Sequence, residues 1–150
     1  MRIAVGADHA GFPLKGQVLE LLEKEGHSVV DLGTHSTRSV DYPDYAQAVG
    51  ESVVKGETQV GILLCGSGVG ASIAANKVAG IRAALCHDVF SARQSREDDD
   101  ANVLCLGPRV IGPALAQELI RVFLAARFSK AERHLRRLEK VAGLEKRLMG

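Results

Sequence analysis

The sequence predicts an α/β fold: a three-layer α/β/α sandwich on a five-stranded parallel sheet, Rossmann-like, with one further helix at the C-terminal end. Short apolar runs recur along the chain, and segments with apolar residues at helical spacing separate them. A third observation is the stretch VGILLCGSGVGASIAAN (60–76), a buried run that enters a glycine-rich turn and then a small-residue helix. Helices alternating with near-continuous apolar strands mark a parallel sheet covered on both faces. Right-handed crossovers then produce the three layers.

The apolar runs Arg2–Ala7, His27–Leu32, Val60–Cys65, Arg82–His87 and Asn102–Leu106 are the five expected strands. Between and after them, Leu14–Lys24, Tyr42–Lys55, Val69–Lys77, Val89–Glu97 and Pro113–Arg127 carry helical spacing. The tail Ser129–Met149 is a sixth helix, strongly basic, with Leu135, Leu138, Val141, Leu144 and Leu148 on one stripe. No repeat, linker or low-complexity segment interrupts the chain, so 1–150 is expected to be one domain. A terminal helix with its own apolar stripe often packs on another subunit, which leads us to expect a homodimer with this helix at its interface.

Composition excludes several classes. The 150 residues are 46% hydrophobic and 25% charged, with a net charge of +1, an ordinary balance for a single compact domain. With no Trp, two Tyr and four Phe, there is neither a basic field nor aromatic material for stacking bases, so nucleic acid is not expected as a partner. The N-terminus enters a strand at once and no run of eighteen apolar residues occurs, so neither a membrane span nor a secretory leader is expected, and the location is read as cytoplasmic. Cys65, Cys86 and Cys105 lie in or at the end of strand-like runs, an odd number without disulfide or zinc spacing. Reduced thiols are expected, with Cys86 and Cys105 as small buried hydrophobes.

In open α/β sheets, ligands gather beyond the carboxyl ends of the strands. Those ends hold Asp8 and His9, Gly33 and Thr34, Cys65–Gly70, His87 and Asp88, and Gly107–Arg109. The turn of Gly66, Gly68, Val69 and Gly70 can curl its N–H groups inward beside the positive end of a helix, which suits an anion. The same field favours a thiolate and can draw a cysteine from about 8.5 toward roughly 3.5 to 7.5.

An ATP-binding loop needs Lys and then Ser or Thr after its last glycine, and a cysteine phosphatase needs Arg six positions after its nucleophile. Ala71 occupies both places, which excludes the first and disfavours the second. Three readings stay open for the turn: proton abstraction beside a carbonyl with N–H groups stabilising the oxyanion, simple anion binding, or a structural turn. Ser67 could relay a proton, hold a substrate oxygen or merely brace the turn.

Asp8 and His9 can grip sugar hydroxyls, or Asp8 can cap the following helix. Tyr42 can offer a hydroxyl at the rim or pack beneath the loop. Arg133 and Arg137 lie four apart on one helix face, a spacing that lets two guanidinium groups meet one phosphate and that also describes a solvated face. Arg109 is better placed on the rim. Glu97–Asp100 is a run of four carboxylates before a buried strand, readable as a solvated loop, an acid of raised pKa or a hard-cation site, although no matching distant ligands can be read.

Taken together, VGADHAGFPLK, DLGTHS, VDYPDYA, GILLCGSGVGASIAANKVAGIRAALCHD, NVLCLGPRVIG and the basic tail resemble type B ribose-5-phosphate isomerase, in a broader family that includes galactose-6-phosphate isomerase subunits. The resemblance implies sheet order 2-1-3-5-4, a homodimer with active sites at the subunit interface that could pair into a tetramer, and no metal or other cofactor. It implies that Cys65 moves the proton between C1 and C2 through a cis-enediolate, that Gly66–Gly70 bind the oxyanion and that Ser67 assists proton movement between oxygens. Asp8 and His9 would hold sugar hydroxyls, with Arg109, Arg133 and Arg137 around the phosphate.

The substrate implied first is ribose 5-phosphate, with a tetrose 4-phosphate, a hexose 6-phosphate or noncatalytic binding of a phosphorylated ligand as alternatives. One departure stands out. Family members commonly carry His-Asn-Asp before the fifth strand, with the histidine opening the furanose ring, where this chain has Asp98 and Asp99 in SREDDDANV. An aspartate near pKa ~3.9 is a poorer acid at neutral pH than histidine, and a second one forfeits the amide donor. A tetrose 4-phosphate has no free hydroxyl placed to close a furanose and requires no such acid; the competing expectation is that Asp98, His9 or His87 opens the pentose ring.

Overall fold

A computed structural model describes residues 1–149, with side chains through Arg147. Five strands are interleaved with helices: β1 Arg2–Ala7, α1 Phe12–Lys24, β2 Ser28–Asp31, α2 Tyr42–Val54, β3 Val60–Leu64, α3 Val69–Ala75, β4 Ala83–Leu85, α4 Val89–Asp99, β5 Val103–Leu106, α5 Pro113–Ala125 and α6 Glu132–Met149. The strands form one sheet in the order β2-β1-β3-β5-β4, every pair parallel. The expected layers and order are those observed.

Alternation along each strand divides the core in two. Ile3, Val5, Ile62, Leu64, Leu104 and Leu106 join a cluster with residues of α1, α4 and α5, while Ala4, Leu63, Val103 and Cys105 face α2 and α3. The second layer lies close to the sheet because the strands present glycine there. A Cβ at Gly61 would stand 2.3 Å from Val49 Cγ1, and one at Gly6 would stand 2.7 Å from Val49 Cγ2.

Local chemistry sets the helix starts. Proline occupies the first turn of α1, α2 and α5, where its missing N–H has no intrahelical partner to lose. Asp88 caps α4, its side chain accepting from Ser91 N–H at 2.7 Å. β3 stops at Leu64 rather than Cys65, although Cys65 N–H still donates to Leu106 O at 3.2 Å. β4 keeps only three residues of the expected six.

The acidic run corrects one of the sequence alternatives: Asp98 and Asp99 form the last turn of α4 instead of a solvated loop. Only Asp100 leaves the helix, in the left-handed region at φ 46°, beside Arg82 at 3.4 Å. The basic helix begins at Glu132 rather than Ser129, with Leu135, Val141 and Leu144 roughly half exposed. The side chain of Leu148, the last member of the expected stripe, lies outside the described residues.

The close α2–sheet approach gives a stability prediction. Gly61→Ala forces its methyl into the β-branched Val49, so urea denaturation is expected to show a loss of about 1–3 kcal/mol. Val49→Ala in the same chain is expected to recover part of that loss, and equal stability of Gly61→Ala and the parent would contradict the packing.

Candidate active site

Because the strands are parallel, the loops after β1, β3, β4 and β5 leave the sheet on one side. Asp8 is buried there, and its Oδ1 accepts from the N–H groups of Ala10 and Gly11, both at 2.9 Å. That braces the turn ahead of α1, whose N-cap is Gly11, and Oδ2 has no protein donor among the described residues. His9 Nδ1 accepts from Val40 N–H at 3.2 Å, which puts the proton of a neutral ring on Nε2 and makes it a donor.

Val40 belongs to a loop held by an ion pair with a buried lysine. Lys15, 3% exposed, reaches Asp31 Oδ1 at 2.8 Å and donates to Thr34 O at 2.6 Å. Burial by itself raises the Asp31 carboxyl, but the Lys15 ammonium and the Gly33 N–H outweigh it and hold the group below its ordinary value.

The glycine turn has defined contacts. Cys65 is 5% exposed, and its Sγ accepts from Gly68 N–H at 3.2 Å. Gly68 makes this possible by taking φ +82°, a conformation glycine adopts freely. Ser67 is exposed, and its Oγ accepts from Val69 N–H at 3.3 Å. Among the described residues, the N–H groups of Gly66, Ser67, Gly70 and Ala71 have no protein acceptor.

Tyr42 lies with its ring against Gly70, where a Cβ would come within 2.8 Å of the ring carbons. Arg109 covers Gly66: its N–H donates to Gly66 O at 3.0 Å, and its Nη1 lies 3.2 Å from where a Gly66 Cβ would be. Asp8, His9, Tyr42, Cys65–Gly70 and Arg109 therefore share the carboxyl-end rim of the sheet.

Asp98, Asp99, Arg133 and Arg137 do not join them within one chain. α4 begins at the carboxyl end of β4 and runs back ~16 Å, so its last turn sits at the amino end of the sheet. There Asp98 Oδ2 accepts from Gln94 Nε2 at 2.9 Å, Oδ1 lies 3.4 Å from His134 Nε2, and Asp99 O accepts from Arg82 Nε at 3.1 Å. Arg133 and Arg137, on the first turns of α6, are exposed and make no ion pair among the described residues.

One contributor was read only in part and another escaped the sequence reading. His87 Nε2 accepts from Gly107 N–H at 3.0 Å and so steadies the turn that carries Arg109; its place at a strand end was visible, its partner was not. His134 sits between the two tail arginines, and nothing in their spacing marks it as buried. Burial pushes the other two thiols, Cys86 and Cys105, above the ordinary cysteine value, which disfavours their thiolates.

A family model described as Ribose/Galactose Isomerase matches residues 3–141. The chain belongs to the ribose/galactose isomerase family. Within that family it is 46% identical to ribose-5-phosphate isomerase B of Escherichia coli, over 97% of each chain. It is also 46% identical to a D-erythrulose-4-phosphate isomerase of Pectobacterium atrosepticum, over 85% of each. The structure of ribose-5-phosphate isomerase B from Clostridium thermocellum superposes with a TM-score of 0.97 at 48% identity, covering 99% of both chains. No helix among the described residues is long and apolar enough to cross a membrane.

His87 carries a pH prediction. Burial lowers its pKa from the usual histidine value, so the neutral acceptor persists in the folded chain while the unfolded chain protonates near 6.5. The stability it contributes is present above about pH 6.5 and is lost as pH falls through the lower folded value. In His87→Gln, whose amide oxygen accepts without titrating, the melting temperature is expected to fall less between pH 7 and 5 than in the parent. Parallel curves would contradict this.

Proposed function

We propose that this chain is a cytoplasmic aldose–ketose isomerase of sugar phosphates, acting first on ribose 5-phosphate to give ribulose 5-phosphate. The observation that carries the reading is the thiol of Cys65 beside a turn with four unengaged N–H groups, in a chain of this family. Cys65, as thiolate, takes the proton from C2 of the open-chain aldose, and electrons move from C2–H into C1=C2 while O1 gains negative charge. The unengaged N–H groups within Gly66–Gly70, those of Gly66, Ser67 and Gly70, stabilise that charge. Ser67 passes a proton from O2 to O1, and the Cys65 thiol returns its proton to C1, completing the ketose. The low exposure of Cys65 keeps bulk water from the enediolate.

Asp8, through Oδ2, and His9, through Nε2–H, take the sugar hydroxyls, Tyr42 closes one side of the turn, and Arg109 meets the phosphate. Arg133, Arg137, Asp98 and Asp99 reach the same substrate from a second copy, because in their own chain they occupy the opposite end of the sheet. The half-exposed Leu135, Val141 and Leu144 give α6 an apolar face for that homodimer, and dimers can pair further. No cofactor enters this proton transfer.

Cys65→Ala is expected to abolish turnover while a phosphorylated ligand still binds, whereas a noncatalytic binding module would have no turnover to lose. Mixing Cys65→Ala with the Arg133→Ala/Arg137→Ala double variant is expected to restore activity through hybrid sites. Two inactive variants that stay inactive when mixed would contradict the shared site.

A second reading has its own support: Asp98 is not a histidine, and one relative is named for a tetrose phosphate. Steady-state comparison of ribose 5-phosphate with erythrose 4-phosphate decides between them. A higher kcat/KM for the tetrose is expected if nothing in the site opens a furanose, and a strong pentose preference would remove this second reading.

A further inference from the structure

Where α4 meets α6, a chain of polar groups is unclaimed by the proton transfer. His134, 6% exposed, has Nδ1 2.6 Å from Ser129 Oγ. The same Ser129 oxygen accepts from Ala131 N–H at 3.2 Å, and in the Nε2–H tautomer of the ring its own hydrogen goes to Nδ1. A neutral ring that accepts at Nδ1 carries its proton on Nε2, and Nε2 lies 3.4 Å from Asp98 Oδ1. Asp98 Oδ2 already accepts from Gln94 at 2.9 Å.

We propose that His134 is a positioning residue for Asp98, oriented by Ser129 so that a ring donor faces one carboxylate oxygen while Gln94 holds the other. With Gln94 on one oxygen and the His134 ring 3.4 Å from the other, Asp98 keeps acceptor lone pairs for a further donor. In the dimeric site proposed above, on which this inference rests, Asp98 receives a hydroxyl of the sugar. It does not protonate a ring oxygen. The substrate class it fits is a sugar phosphate already in its open-chain form.

The test uses the full chain with erythrose 4-phosphate. His134→Leu is expected to lower kcat/KM about tenfold. His134→Gln, which keeps a donor, is expected to recover much of it. In an Asp98→Asn background, His134→Leu is expected to cost little more. Equal losses in both backgrounds, or no rescue by Gln, would assign His134 a merely structural role and overturn the inference.

Nitrogen-15 NMR of the His134 ring decides the geometry independently of turnover. An Nε2–H tautomer whose signals move in Asp98→Asn is expected, and an Nδ1–H tautomer overturns the proposal. Failure of the parent chain to isomerise any sugar phosphate would instead count against the isomerase reading.

Discussion

The site rests on a steric fact: the loops leaving β3 and β5 cross with no space for a side chain between them. A Cβ at Gly107 would lie 2.3 Å from Ser67 C and 2.6 Å from Gly66 O. The crossing follows from the sheet, because β3 and β5 are neighbours with Leu64 paired to Leu106, so their exits emerge side by side. Once the loops touch, the hydrogen bonds become short-range consequences. Arg109 N–H meets Gly66 O, Gly107 N–H meets His87, and Gly68 turns its N–H to the Cys65 sulfur. The ends of three strands thereby behave as one unit.

A second close approach sets the wall of the turn. Because Gly6 and Gly61 leave no Cβ beneath α2, that helix settles onto the sheet, and its first residue, Tyr42, reaches Gly70. The ring occupies the volume that any larger residue at position 70 would need. Glycines in two strands thus control how near an aromatic side chain stands to the loop that matters chemically.

The layers and strands were legible in the sequence because burial on both faces writes itself as runs such as VGILL and VLCL, and the rim followed from the direction of the strands. Strand ends were less legible. Cys65 continues the apolar run of β3, but φ +82° at Gly68 pulls the chain away, a tertiary demand that hydrophobicity does not record. The alternatives left open at Asp8 also needed coordinates: its Oδ1 does brace the turn ahead of α1, yet the second oxygen stays unengaged, so the two roles do not compete. Nothing in the spacing of Arg133 and Arg137 revealed that His134, one of the three residues between them, is buried. A histidine flanked by arginines on a basic helix reads as solvated until its partners on α4 and before α6 are seen.

Sequence order also hid the division of the site between the two ends of the sheet. A helix that returns from a parallel strand carries each later residue away from the carboxyl rim, so His87 and Asp98, eleven positions apart, stand at opposite ends of α4. On the proposed reading this separation has a chemical consequence. The proton-transfer cradle is bound by contacts that tolerate almost no change, since a single methyl at Gly107 or Gly70 would collide with backbone or ring. Asp98, Arg133 and Arg137 stand on helix ends that are partly or wholly exposed, where a substitution displaces no backbone. The reaction can therefore stay fixed while the end of the site that meets the rest of the sugar changes, in keeping with relatives of equal identity named for substrates of different length.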